Sequence, residues 1–119
     1  MPPLPFQNKQ ARGRQGEDDA LAYLLRQGLV LLARNYLCKG GELDLIMRDG
    51  ASIVFVEVRL RSGTAYGGAL ASITPAKQRR MVVAAQTWLL GQKRLPACRF
   101  DALCIDGGHI SWLKNILDM

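Results

Sequence analysis

The sequence predicts an α/β domain in which a central mixed β-sheet is flanked by helices. Two observations support this fold class. Apolar residues recur at helical spacing in two segments, and short segments rich in β-branched and aliphatic residues have the pattern of strands. Their order is helix, three strands, helix and strand, with a further strand near the C-terminus. At 119 residues the chain is close to the commonest size for a single domain.

The first half of the chain contains one predicted helix and three predicted strands. Residues 1–11 include three of the five prolines and are expected to form a flexible arm ahead of a single domain over residues 12–119. A helix is expected from about Gly13 to Gln27, where Gly28 would end it, because its apolar stripe comprises Ala20, Leu21, Leu24 and Leu25. Strands are expected over residues 29–36, 42–48 and 52–60, the last two joined by a tight turn at Asp49-Gly50.

The second half of the chain repeats this alternation. Residues 61–73 are rich in glycine and serine and are expected to form a loop. Thr74 followed by Pro75 is typical of a helix start, and the apolar stripe of this helix continues to about Leu90. Two short strands, over residues 99–105 and 110–113, complete the predicted domain.

Composition limits the compartment and the class of partner. No apolar segment approaches the ~18 residues that a membrane span needs, so no membrane association is expected. Three cysteines without a close pair indicate reduced thiols in a cytoplasmic protein. A net charge of +6 favours an anionic partner, and we expect nucleic acid, with DNA as the first candidate.

Two acidic residues interrupt strands that are otherwise apolar. Asp44 lies within residues 43–47, and Glu57 lies within residues 53–58. A carboxylate in a buried strand is costly to desolvate unless a partner compensates its charge. Two such residues in consecutive strands therefore indicate a common site.

The register of the hairpin decides whether these acids meet. If Asp49-Gly50 forms the turn, Glu42 lies opposite Glu57, and Asp44 is the diagonal neighbour of Glu57 on the same face, about 7 Å away. Glu17 lies on the apolar stripe of the first helix and is expected to reach that face too. Glu17, Asp44 and Glu57 would then converge.

Converging carboxylates suit a hard divalent cation, so the sequence predicts a site for Mg²⁺ or Mn²⁺ with Asp44 and Glu57 as ligands. The alternative is that each acid is held by an arginine. Arg59 shares a strand face with Glu57 and could contact it without any metal.

Basic residues near the start of the second helix are candidates for phosphate contact. Lys77, Arg79 and Arg80 oppose the helix dipole there, so helix stability alone would not favour them, whereas a bound phosphate would. Lys77 is expected to point towards the buried side. The alternative for Arg79 and Arg80 is a solvated basic face. The full set of candidate contacts to a nucleic-acid backbone is Arg12, Arg14, Arg61, Arg79 and Arg80.

Several sequence blocks, in their order and spacing, resemble the YraN family over about residues 12–113. They are Gly16-Glu17, residues 41–46, residues 54–59, Lys77 and residues 99–101. The resemblance implies a restriction-endonuclease-like fold related to Holliday-junction resolvases. It also implies that the protein is a Mg²⁺-dependent endonuclease acting on branched or damaged DNA. Related resolvases are often dimers, so a homodimer is an expectation by analogy.

The resemblance also assigns roles to residues. Asp44 and Glu57, with the carbonyl of Val58, match the metal ligands of the wider nuclease superfamily, and Glu17 matches its helical acid. The lysine that usually orients the attacking water is replaced here by Arg59, which cannot accept a proton. Lys77 is the candidate substitute from the second helix.

Two other functions remain open from the sequence. One is a non-catalytic nucleic-acid-binding module whose degenerate site keeps its acids for ion pairs centred on Arg59. The other is a protein–protein adaptor with no role in binding nucleic acid, whose interactions would be insensitive to salt.

Overall fold

The computed structural model describes residues 5–61 and 70–117, with the side chains of residues 13–60 and 71–117. It confirms the α/β fold with a central mixed sheet and flanking helices. A short 3₁₀ turn, Leu70–Ser72, precedes the second helix. The helices and strands in chain order are α1 (Pro5–Arg26), β1 (Val30–Cys38), β2 (Gly41–Asp49), β3 (Ser52–Arg61), α2 (Pro75–Leu89), β4 (Cys98–Asp106) and β5 (His109–Leu117).

The five strands lie in the sheet in chain order, from β1 to β5. Only β3 and β4 are parallel, and the other neighbours are antiparallel. Helix α2 connects this parallel pair, because a chain that leaves one end of a sheet must cross back before it can form a parallel neighbour. The crossover places the start of α2 near the end of β3.

The two helices cover opposite faces of the sheet. Ala20 and Leu24 of α1 pack in one cluster, whose sheet residues are Leu45, Met47, Val54, Val56 and Leu103. Met81 and Ala85 of α2 pack in the other, with Ile46, Phe55, Phe100 and Ala102. Strand β3 therefore contributes alternate residues to both clusters, which explains its nearly continuous apolar sequence.

The first helix starts earlier than the sequence predicted. Helix α1 begins at Pro5, so the predicted start near Gly13 was wrong, and the helix includes most of the segment expected to be an arm. Proline is well tolerated in the first turn of a helix. Residues 1–4 lie outside the described residues.

The start of α2 is confirmed, since Thr74 Oγ1 accepts a hydrogen bond from the Lys77 amide at 3.1 Å. Neither described helix is long and apolar enough to cross a membrane.

The hairpin between β2 and β3 differs from its predicted register. Asp49 pairs with Ser52, so Gly50 and Ala51 form the turn. Gly50 has a φ of 61° and occupies the first central position, as glycine does in a type II′ turn. The register is therefore shifted by two residues, which keeps the paired residues of the hairpin on their predicted faces but moves Glu42 away from the position opposite Glu57.

Candidate metal and phosphate site

Asp44 lies where β2 and β3 stop pairing. The last pair of this ladder is Leu45 with Val56. Beyond this pair, the Val58 amide donates to Asp44 Oδ2 at 2.8 Å, so the Asp44 carboxylate takes the place of a backbone acceptor on β2. This bond fixes the Asp44 carboxylate between the ends of the two strands and places the Val58 peptide at the same point.

Glu57 is buried beside this point and is only 1% exposed. Its Oε1 lies 3.4 Å from Arg59 Nη1 and 3.5 Å from Lys77 Nζ. Its Oε2 is also buried, yet it has no hydrogen-bond donor among the described residues. When the Glu57 and Asp44 carboxyls share a proton, a hydrogen bond between them offsets the cost of burying this oxygen. Without that proton the oxygen is a buried acceptor with no partner, which is a position suited to a bound cation.

The protonation of Glu57 reflects this environment. Burial and then the negative charge of Asp44 raise the pKa of Glu57 to about 8, against the smaller opposing effects of Lys77 and Arg59. Near neutral pH the Asp44–Glu57 pair therefore retains a proton when no external cation compensates its charge. A cation that bound both carboxylates would have to displace that proton.

Arg59 is fixed by contacts on two sides. Its Nε donates to Ser72 Oγ at 2.7 Å, and its Nη2 donates to the Ser72 carbonyl at 3.4 Å. Its Nη1 reaches Glu57 Oε1. The Arg59–Glu57 contact that the sequence offered as an alternative to a metal is thus present.

Lys77 points towards the acids, as its helical position predicted. Its Nζ lies 2.9 Å from Glu42 Oε1, in addition to its contact with Glu57. Arg80 reaches the same Glu42 oxygen at 3.0 Å. The hydrogen bond from Lys77 holds the pKa of Glu42 below its usual value.

Sequence reasoning did not identify Glu42 as a site residue. The signal that could have found it was the group of cations on α2, which need an acidic partner on the strand that the helix covers. Lys77 and Glu42 are separated by 35 positions in the chain, so only the packing of α2 on β2 brings them together.

Glu17 approaches Asp44 from the α1 face. Burial and then the charge of Asp44 raise the pKa of Glu17, while Arg34 and a hydrogen bond with Asn35 lower it. Glu57 contacts α2 on the opposite face, so the prediction that the three acids share one face was wrong. No group of three or more metal-binding side chains occurs among the described residues, and the close pair is Asp44 with Glu57.

A cleft of about 170 Å³ opens beside Asp44. It lies between the end of β1 and the start of β2, so it adjoins the region where β2 and β3 separate. Its lining residues are Asn35, Tyr36, Leu37, Glu42, Leu43 and Asp44. The cleft gives a ligand access to the carboxylate of Asp44.

The candidate backbone contacts are dispersed. Arg14 is exposed on α1, and Arg80 is paired with Glu42. Arg79 lines a separate, largely apolar cleft of about 440 Å³ between α2 and Leu117, away from the acids. The side chains of Arg12 and Arg61 lie outside the described residues. The structure thus brings Arg80 to the acidic site and does not bring Arg79 there.

Asp101 is a buried acid with a structural role. It is fully buried and accepts hydrogen bonds from Arg99 Nε at 3.0 Å, Trp112 Nε1 at 2.9 Å and the Asn115 amide at 2.9 Å. The bonds from Trp112 and Asn115 join β4 to β5. Together with Arg99 they satisfy the buried carboxylate, which accounts for an acid in β4.

Comparison with known proteins identifies the family. The sequence profile of the "Uncharacterised protein family UPF0102" matches residues 16–105. The chain belongs to this family. The match confirms the YraN resemblance and includes Asp44, Glu57 and Lys77.

Relatives within UPF0102 align over nearly the whole chain. A UPF0102 protein of Herminiimonas arsenicoxydans is 53% identical over 114 residues, covering 96% of this chain and 92% of its own. One from Cupriavidus taiwanensis is 57% identical over 113 residues, covering 93% of this chain and 86% of its own. A third, from a Janthinobacterium species, is 53% identical over 114 residues, covering 96% and 93%.

Proposed function

We propose that this UPF0102 protein is a cytoplasmic, nucleic-acid-binding, metal-dependent endonuclease that acts on branched or damaged DNA. The observation that carries the proposal is the close approach of the buried Glu57 carboxyl to Asp44, where Glu57 Oε2 has no donor among the described residues other than a proton shared with Asp44. Asp44 and Glu57 are carboxylates on adjacent strands. The Val58 peptide follows Glu57 in the chain, and its amide donates to Asp44. Carboxylate and carbonyl oxygens of this kind form a donor set for a hard cation.

The residues present fit Mg²⁺ or Mn²⁺. Asp44, Glu57 and the Val58 carbonyl would hold the ion, and its charge would compensate the burial and the repulsion by Asp44 that together raise the pKa of Glu57. Such an ion supplies charge stabilisation at a phosphodiester and lowers the pKa of a bound water. Glu17 would tune the charge of Asp44 from the α1 side, since their carboxylates interact.

Nucleic-acid binding rests on charge. The protein carries a net charge of +6, and its exposed arginines include Arg14 and Arg79. We propose that these residues, with Arg12, Arg61 and Arg80, contact phosphates in a sequence-independent way. Affinity should then fall steeply as salt rises, because each phosphate contact releases counterions. A homodimer would place two such surfaces on one branched substrate.

The test compares the wild-type protein with Asp44→Asn on labelled duplex, single-stranded and four-way junction DNA, with Mg²⁺ or Mn²⁺. The asparagine oxygen can still accept the Val58 hydrogen bond, so the fold should be retained. We expect both proteins to bind at low salt and only the wild-type protein to cleave. Absence of DNA binding at low salt would contradict the proposal and favour an adaptor.

A non-catalytic binding module is the second candidate, and one observation favours it. Two cations already contact Glu57 Oε1, so part of the negative charge of the site is compensated without a metal. Arg59→Lys distinguishes the two functions in the same assay. In a nuclease the variant should cleave at least about tenfold faster, because it regains an amine that can orient water. In a binding module it should lower the melting temperature without any cleavage.

A further inference from the structure

We infer that Lys77, positioned by Glu42, binds the scissile phosphate at this site, whereas Arg59 serves to fix Glu57. The inference deepens the proposed function and rests on it. The contacts of the two cations differ in a way that separates their roles, although both lie within 3.5 Å of Glu57 Oε1.

The contacts of Arg59 are directed inwards. Three of its five N–H groups meet an acceptor, one from each guanidinium nitrogen, two on Ser72 and one on Glu57. The planar guanidinium cannot turn towards a ligand without breaking these bonds together. Arg59 therefore links the 3₁₀ turn to Glu57 and holds that carboxylate in place.

Lys77 keeps a donor for a ligand. Its ammonium has three N–H groups, and the described contacts direct it towards two acceptors, Glu42 and Glu57. The Lys77 side chain is 17% exposed and that of Arg59 is 27% exposed, so solvent reaches both, and the two cations differ in that the ammonium can rotate while the guanidinium is fixed. An anionic oxygen that approaches the acids can accept the remaining N–H while both ion pairs are kept.

Glu42 determines where that ammonium lies. It is two positions from Asp44 on β2, and its Oε1 receives both Lys77 and Arg80 from α2. Glu42 and Asp44 also line the same cleft. Glu42 is thus a positioning residue: it touches no substrate in this arrangement and acts by holding Lys77 next to the carboxylate pair.

The experiment measures binding of a cleavage-resistant, phosphorothioate four-way junction in Mn²⁺ over a series of salt concentrations. The matched control for Lys77→Met is Lys93→Met, which removes the same charge from an exposed residue beyond the end of α2. Lys77→Met should weaken binding about tenfold relative to this control. It should also lower the slope of log affinity against log salt by about 0.9, the value of one phosphate contact.

Two further variants separate charge from position. Lys77→Arg should restore the salt slope, since it restores the cation. Glu42→Gln keeps the charge of Lys77 and frees Arg80 but weakens the hold on Lys77, so it should keep at least the wild-type slope while lowering kcat for a cleavable junction. If Lys77→Met does not fold, as judged by thermal melting, the kcat of Glu42→Gln decides the inference.

The outcomes distinguish the inference from the function on which it rests. If Lys77→Met and Lys93→Met have equal affinities and slopes, Lys77 does not bind phosphate and the inference is wrong, whereas the proposed nuclease function is not contradicted. If Arg59→Met loses the slope and Lys77→Met does not, the two roles are reversed and the inference is wrong. A wild-type protein that binds no DNA overturns both the inference and the proposed function.

Discussion

Glu57→Gln is expected to make the metal-free protein more stable than wild type at pH 8 and to flatten the dependence of its stability on pH. In the folded protein the pKa of Glu57 is about 8, because the residue is buried next to Asp44. In the unfolded chain the carboxyl has a pKa of about 4.3. Between these values the folded state holds a proton that the unfolded state has lost.

The sign of the effect follows from this difference. The raised pKa of Glu57 makes a contribution to the free energy of unfolding that is fully present below about pH 4.3. This contribution is lost as the pH rises towards about 8, so the free energy of unfolding falls through that window. Glutamine carries no proton to lose, and its amide can donate to Asp44. At pH 8 the variant should exceed wild type in unfolding free energy by an amount on the order of a few kcal/mol.

Urea denaturation at pH 5 and pH 8 measures this effect. The control is Asp19→Asn, which removes an exposed carboxylate of α1 away from the site and should follow the wild-type pH dependence. Adding Mn²⁺ at pH 8 should stabilise the wild-type protein and leave Glu57→Gln unchanged. If wild type and Glu57→Gln have parallel pH profiles, Glu57 does not hold a proton in the folded protein.

Gly41→Ala is expected to destabilise the protein by at least ~2 kcal/mol, at the upper part of the usual range for overpacking. A Cβ at Gly41 would lie 2.5 Å from the Arg80 carbonyl oxygen and 2.7 Å from the Ala84 amide nitrogen. These are backbone atoms of α2, so no side-chain rotation can relieve the overlap. The helix would have to move away from β2 and carry Lys77 away from Glu42.

The matched control is Gly13→Ala, because nothing lies within 4 Å of a Cβ at Gly13 in α1. That substitution should stabilise the protein by up to about 1 kcal/mol, the helix preference of alanine over glycine. Chemical denaturation of both variants gives the comparison. A Gly41→Ala protein as stable as wild type would show that α2 does not pack so closely on β2.

The order of elements was predictable because it depends on local patterns. The Thr74 cap with Pro75 identified the start of α2, and the alternation of helix and strand patterns gave the fold class. The hairpin register was not predictable to the residue. Asp49-Gly50 suits a turn with glycine second, whereas the folded chain places Gly50 first. The dipeptide alone does not distinguish these positions, and pairing across the sheet decides between them.

The site was predictable in part for the same reason. Asp44 and Glu57 were found because each interrupts an apolar strand. The face of Glu17 was not predictable, since the spacing of residues within α1 does not state which side of the sheet the helix covers. Glu42 was missed because its partners lie on α2, and that packing depends on the absence of a side chain at Gly41.

A calorimetric titration with Mn²⁺ at pH 8 shows directly whether Asp44 and Glu57 hold a metal ion. It compares wild type with Asp44→Asn and Glu57→Gln, both alone and with cleavage-resistant junction DNA, so that a cation recruited together with DNA is also detected. We predict saturable binding at one site in the wild-type protein and none in either variant. Absence of binding to the wild-type protein under both conditions would contradict a metal site and leave the acids as partners of Arg59 and Lys77.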